Sequence, residues 1–237
     1  MMKRFALVCV LFLAFTQLGF SQDWLWDGKK NKKTSRKDLK PFTEFKFGGF
    51  NPEDTGSGNL FGITTGHQLD SRLFWAFEVN YFKTTFRKET TVATDSGGNG
   101  TLVDVKQLEL EFNTIIVPVL FKIEYRLDLG DAEVEGPLYF RAGGGLGWNF
   151  IWNNENNFIE DIERRRFFNG LGWQMSAGLE VRISEYGYVF FDGFYNDADA
   201  TRNGERNENG LPIWQSLDVS GYGFKVGLRI MGLGFAL

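Results

Sequence analysis

Few residues in this 237-residue chain have types and spacings that could do chemistry. The single histidine, His67, lies in "TTGHQL", with Thr64 and Thr65 as its hydroxyl neighbours. "NDADATRNGE" (196–205) has Asp197 and Asp199 at the spacing of a calcium loop. Arg202 interrupts it, and no glutamate stands at the twelfth position, so a solvated loop is expected there. "RAGGGLGW" (141–148) is glycine-rich but opens no helix after a strand, which argues against phosphate binding. These residues predict no catalytic group, no cofactor and no metal. What remains is a set of charges on alternate positions of apolar segments: Glu44, Lys46, Glu78, Lys122, Glu124, Arg126, Arg141, Glu180, Arg182, Asp192, Lys225 and Arg229.

The alternation defines the elements. In "GWQMSAGLEVRIS" (172–184), Trp173, Met175, Ala177, Leu179, Val181 and Ile183 share one face. Gly172, Gln174, Ser176, Gly178, Glu180 and Arg182 share the other, the period-two mark of a strand. The same pattern recurs at 42–50, 59–69, 73–86, 103–127, 138–150, 188–196 and 218–237, giving eight strands. Long polar links (51–58, 87–102, 151–170, 197–217) follow the odd strands and shorter turns follow the even ones, among them "DSR" and "SEYG". Short turns at one end and long loops at the other suit a transmembrane up-and-down barrel, with the long links predicted outside the cell. A closed ring also leaves no exposed strand edge.

Composition agrees. The chain has 25 Phe, 7 Trp, 7 Tyr and 29 Gly, against 5 Pro. Lys3 and Arg4, the apolar run 5–15 and the small residues Gly19 and Ser21 predict a signal peptide over 1–21, cleaved before Gln22. Cys9, the one cysteine, falls inside it, so the mature chain is expected to have no thiol or disulfide chemistry. Residues 23–40 carry seven Lys/Arg and three Asp. We read 22–40 as a basic periplasmic arm, with lipid headgroups as a sharper alternative to a solubilising tail. The body, 41–237, is net acidic, which makes nucleic acid an improbable partner for an exported protein.

Size assigns the faces. Trp75, Phe77, Tyr81, Trp148, Trp173 and Phe224 are too bulky to share an eight-stranded interior, whereas glycines 143, 145, 147, 172, 178, 223 and 227 suit one. The charges therefore point inward and the apolar face meets lipid. The soluble alternative, a lipocalin-like barrel, would expose the charges instead. Interior charges of both signs must pair, which favours a salt-bridge plug over a gated or narrow channel. Pro118 inside strand 4 lacks a ladder donor and calls for a local bulge.

The export signal, the eight alternating segments, "IIVPVLFKIEY" (115–125) before a turn and the glycine-alternating last strand resemble the outer-membrane protein β-barrel domain family. That family includes eight-stranded barrels similar to outer-membrane protein A and the PorT proteins. The resemblance spans roughly 41–237 and implies an all-β, eight-stranded antiparallel up-and-down transmembrane β-barrel in the cell outer membrane. It implies outer-membrane lipids, the outer-membrane insertion machinery and an envelope protein as partners. Such barrels commonly end on an aromatic residue; here the last aromatic is Phe235, two residues before the end. Some such barrels modify lipid A. The deacylases and phospholipases among them place a serine two residues after the catalytic histidine, and here that position is Leu69. The expectation is a non-enzymatic barrel with a structural or partner-binding role, the alternative being a narrow solute channel or a lipid-acting enzyme.

Overall fold

The computed structural model describes residues 40–97, 101–130, 137–206 and 212–234. All regular structure among them is strand: β1 (Pro41–Pro52), β2 (Gly58–Gln68), β3 (Leu73–Gly97), β4 (Thr101–Asp128), β5 (Leu138–Asn157), β6 (Ile162–Arg182), β7 (Gly187–Arg206), β8 (Pro212–Asp218) and β9 (Gly221–Met231). Each of β1 to β6 pairs antiparallel with the next, and β6 pairs with β7. The outer half of β7 pairs with β8 and its inner half with β9, and β9 closes the ring on β1. Together β8 and β9 form one stave interrupted at Val219–Ser220, so the barrel has eight staves.

The period of two sorts the side chains as the sequence implies. Phe45, Phe47, Phe61, Ile63, Phe77, Val79, Phe121 and Ile123 lie side by side on the outside of β1 to β4, each at least two-fifths exposed. The outward positions of β6, β7 and β9 continue the band with Leu179, Val181, Val189, Phe191, Phe224, Val226 and Leu228. An apolar surface running round the whole molecule far exceeds the patches of soluble monomers. Lipid satisfies it, and the closed ring pairs every stave on both sides. Ring pairs tie the band across strands: Phe47 with Phe61 (5.1 Å), Phe77 with Phe121 (5.4 Å) and Tyr195 with Tyr222 (4.8 Å).

Three of the polar links differ from expectation. Residues 87–97, 151–157, 162–170 and 199–206 are strand, not loop. The hairpins β3–β4, β5–β6 and β7–β8 run on past the apolar band, whereas the first polar link is a short turn (53–57) without such an extension. Both faces of a hairpin standing in water can be polar, so the two-residue alternation fades although pairing continues. Cross-strand charges brace the extensions: Arg87 with Glu111 at 2.8 Å, Lys88 with Glu109 at 3.1 Å and Arg166 with Glu155 at 2.6 Å. The supposed calcium-like loop, 196–205, is likewise part of β7.

Pro118 needs no bulge. Val79 pairs Val119 and Phe82 pairs Ile116, one uninterrupted register with two pairings missing where the proline N–H is lacking. The register shifts of that hairpin fall at Lys88/Glu89 and Thr91/Ala93, in the extension.

Candidate functional site: a lumen blocked at two levels

The inner face follows even numbers on β1 to β4, β6 and β7, and odd numbers on β5 and β9. Glycines supply the room for its long side chains. A Cβ at Gly178 would stand 1.9 Å from the Phe191 carbonyl oxygen, and one at Gly48 1.9 Å from that of Phe224. At Gly145 a Cβ would meet Lys122 Cγ at 2.8 Å, so the lysine stem lies where a side chain would be.

Into that space the staves bring two layers of charge. Nearer the chain ends, Arg141 (β5) and Arg229 (β9) lie among Glu44 (β1), Glu124 (β4), Glu180 (β6) and Asp192 (β7). Arg141 Nη2 donates to Glu44 Oε1 at 3.0 Å and Glu124 Oε2 at 2.7 Å, and its Nη1 donates to Glu180 Oε2 at 3.2 Å. Asp192 Oδ1 sits 3.3 Å from Arg141 Nε, an ion contact rather than an aligned hydrogen bond. Arg229 donates to Glu44 Oε1 through Nε (2.9 Å) and Nη2 (2.6 Å), and also to Glu124. Its Nη1 faces Glu180 Oε2 at 3.0 Å. The guanidinium of Arg141 lies 4.1 Å over the Phe190 ring and that of Arg229 4.6 Å over Phe42.

One step further in, Glu78 (β3) gathers three lysines. Lys46 Nζ lies at 2.9 Å, Lys122 Nζ at 3.0 Å and Lys225 Nζ at 2.5 Å. Asn80 donates to Glu78 at 2.7 Å and Lys225 to Gln174 Oε1 at 3.2 Å. Lys46 also reaches Glu44 Oε2 at 3.3 Å, which joins the two layers. Every charged member of the two layers is buried. Such charges are tolerated because opposite charge and hydrogen-bond donors surround each carboxylate.

Eleven of the twelve expected lumen residues thus meet in one connected cluster. Arg126 is its outermost member, bridging to Glu180 at 3.0 Å. Arg182, the twelfth, stands half-buried at the rim, where β6 ends. His67 lies on the outer face, stacked 5.8 Å from Trp75, where Pro41 is its backbone partner. Among the described residues no group of three or more His, Cys, Asp or Glu could hold a metal ion.

A second block lies beyond the lysine layer. Phe50, Leu60, Phe82, Ile116, Ile151, Phe168 and Phe194, all inner-face residues, pack into an apolar cluster and are buried. Phe50 packs edge-on against Phe82 (5.3 Å) and tilted against Phe194 (5.4 Å), and Lys225 Nζ lies 4.4 Å over Phe194, where the two blocks touch. Reading the inner face only for charge misses this plug. Its signal was parity, since these residues occupy inward positions further along the staves than the buried charges. Above it opens a cavity of about 680 Å³ between the extended hairpins, lined by Phe86, Phe112, Thr114 and Arg166 among others.

Apolar outside, charged inside and closed upon itself, the chain is an eight-stranded transmembrane β-barrel of the outer-membrane type. No protein-family model matches the sequence, and no curated protein matches it. Solved structures similar to it include Neisserial surface protein A, from Neisseria, with 13% identity over 80% of this chain and 96% of that one and a TM-score of 0.47. OprG from Pseudomonas aeruginosa is similar at 12% identity, covering 83% and 97%, with a TM-score of 0.46. The outer membrane protease OmpT from Escherichia coli is similar at 10% identity, covering 74% of this chain and 64% of that one, with a TM-score of 0.43.

Proposed function

We propose that this barrel is a non-conducting, non-catalytic outer-membrane protein that serves the envelope structurally or by binding a partner at its rims. The observation that carries this reading is the double block, an ion-paired layer and an apolar plug in series across one narrow lumen. A hydrated ion crossing the lumen would have to displace buried salt bridges and then open a packed aromatic cluster, each a barrier of several kcal/mol. The extended hairpins and the turns at the other end remain as surfaces through which such a barrel meets other molecules. Outer-membrane lipids, the insertion machinery and an envelope protein are the partners this reading assigns.

The test pairs planar-bilayer conductance of the purified protein with a lipid A mass spectrum from expressing cells. The reading expects no steady conductance above the bare bilayer and an unchanged lipid A profile. Stepwise single-channel currents would favour the narrow channel, and a shifted lipid A mass would favour a lipid-acting enzyme.

A further inference from the structure

The geometry points to a second site that the lumen blocks do not explain: a phosphate-binding vestibule at the mouth where the described chain begins and ends. A cavity of about 420 Å³ opens there, lined by Arg126, Arg72, Arg182 and Lys40 together with Tyr139 and Tyr188. Its floor is pre-organised. Three rings clamp the Arg126 guanidinium, Tyr139 at 4.5 Å, Phe74 at 5.1 Å and Tyr188 at 5.2 Å from its carbon. Nη1 is tied to Glu180, and 11% of the side chain stays exposed to the vestibule. An arginine held in one pose loses little further freedom when it takes an oxyanion, and its planar fork matches phosphate oxygens.

The cations converge from separate elements: Arg72 from the β2–β3 turn, Arg126 from β4, Arg182 from the end of β6 and Lys40 from just before β1. That spread suits a tetrahedral dianion with several oxygens better than a single flat carboxylate. Nearby acids are engaged locally. Asp70 Oδ1 accepts the Arg72 and Leu73 amides at 2.7 Å, Asp128 Oδ1 accepts the Gly130 amide at 2.8 Å, and Glu185 bonds Tyr186. The Asp70 turn also fixes the backbone at Arg72. Four cations and two acids, Asp128 and Glu185, line the cavity; Arg126 shares its charge with Glu180 behind it, and the mouth keeps more cationic donors than carboxylates. The ligand class is a phosphate group, free, esterified to a small molecule, or carried on a lipid headgroup.

The experiment uses the whole protein in phosphatidylcholine nanodiscs. Inorganic phosphate and glycerol phosphate are titrated by calorimetry, and a parallel set of discs carries phosphatidylglycerol. Wild-type protein is expected to bind phosphate saturably. Arg72→Ala and Lys40→Ala, both at exposed positions outside the lumen network, are expected to weaken binding at least fivefold each without changing the melting temperature of the unliganded protein. Arg126→Lys keeps the charge but loses the fork and is expected to weaken it at least tenfold. If stabilisation appears with phosphatidylglycerol discs alone and depends on the same residues, a headgroup is the source of the phosphate. Absence of saturable binding and of lipid-dependent stabilisation overturns the proposal, as does binding that all three variants leave intact.

Discussion

Removal of Arg141 is the sharpest perturbation of the lumen. Its side chain is 2% exposed and touches four carboxylates. Three of them keep another cation when it goes: Glu44 has Arg229 and Lys46, Glu124 has Arg229, and Glu180 has Arg126 and Arg229. Asp192 has its ion contact with Arg141 and is buried beside Gly178, where its register neighbour across β9 is Lys225. Arg141→Ala therefore strands one buried carboxylate, an effect of about 3–5 kcal/mol, less whatever water entering the vacated space restores. Reversible urea unfolding from lipid vesicles measures the loss. Val181→Ala, on the lipid face of the adjoining stave, is expected to cost about 1 kcal/mol or less. Pairing Arg141→Ala with Asp192→Asn should recover at least about 1 kcal/mol, because the two residues act on one contact. The reasoning is refuted if Arg141→Ala unfolds with the wild type, or if the double change costs the sum of the two single changes.

Gly178→Ala, whose Cβ would collide with a carbonyl at 1.9 Å, is expected to cost at least about 3 kcal/mol or to block folding, read as loss of heat-modifiable gel migration. Gly193→Ala on the neighbouring stave has nothing closer than 3.9 Å and should fall within about 0.5 kcal/mol of wild type. Phe82→Ala opens the apolar plug at a fully buried position, yet bilayer conductance should stay at baseline because the ion layer still closes the lumen; steady current from this single change would deny that layer a sealing role. In the β3–β4 extension, the Thr90 hydroxyl and the Lys88 ammonium hold the Glu109 carboxyl below the usual carboxylate range. With its folded value below the unfolded one, this pair stabilises the hairpin at neutral pH and the contribution is lost as pH falls through the folded value. A carbon-13 titration should place Glu109 below the ordinary glutamate value, moving upward in Lys88→Ala, and a midpoint at or above the ordinary value contradicts the contact.

The barrel was legible in the sequence because lipid on one side and a narrow lumen on the other impose opposite chemistry on alternate residues. Leu179 and Val181 against Glu180 are enough to orient β6. Glycines placed beside long charges, such as Gly145 against Lys122, carried the size argument that turned the faces the right way. Strand length was not legible. Beyond Lys83 and Thr114 both faces of the hairpin can meet water, and pairing leaves no apolar period to read. Nor does composition reveal the depth of a residue along its stave: Arg182 has the same parity as Glu180, yet Glu180 is buried and Arg182 stands half-buried at the rim. The apolar plug was hidden for a related reason: Phe82 and Ile116 look like further lipid-facing residues until their parity is counted. The expected export signal (1–21), the basic arm (22–40) apart from Lys40, and the terminal Phe235 lie outside the described residues.

The face assignment underlies every other statement, and methyl NMR tests it without altering the protein. In nanodiscs with protonated acyl chains and an otherwise deuterated, methyl-labelled protein, lipid methylene signals should transfer magnetisation to Val79, Val119, Ile123, Leu179, Val181, Val226 and Leu228. They should give none to Leu60, Ile116, Leu120 and Ile151, which are buried in the lumen. Acyl-chain contacts to this second group, with the first group silent, would mean that the barrel is turned inside out and that the charge cluster is not its interior.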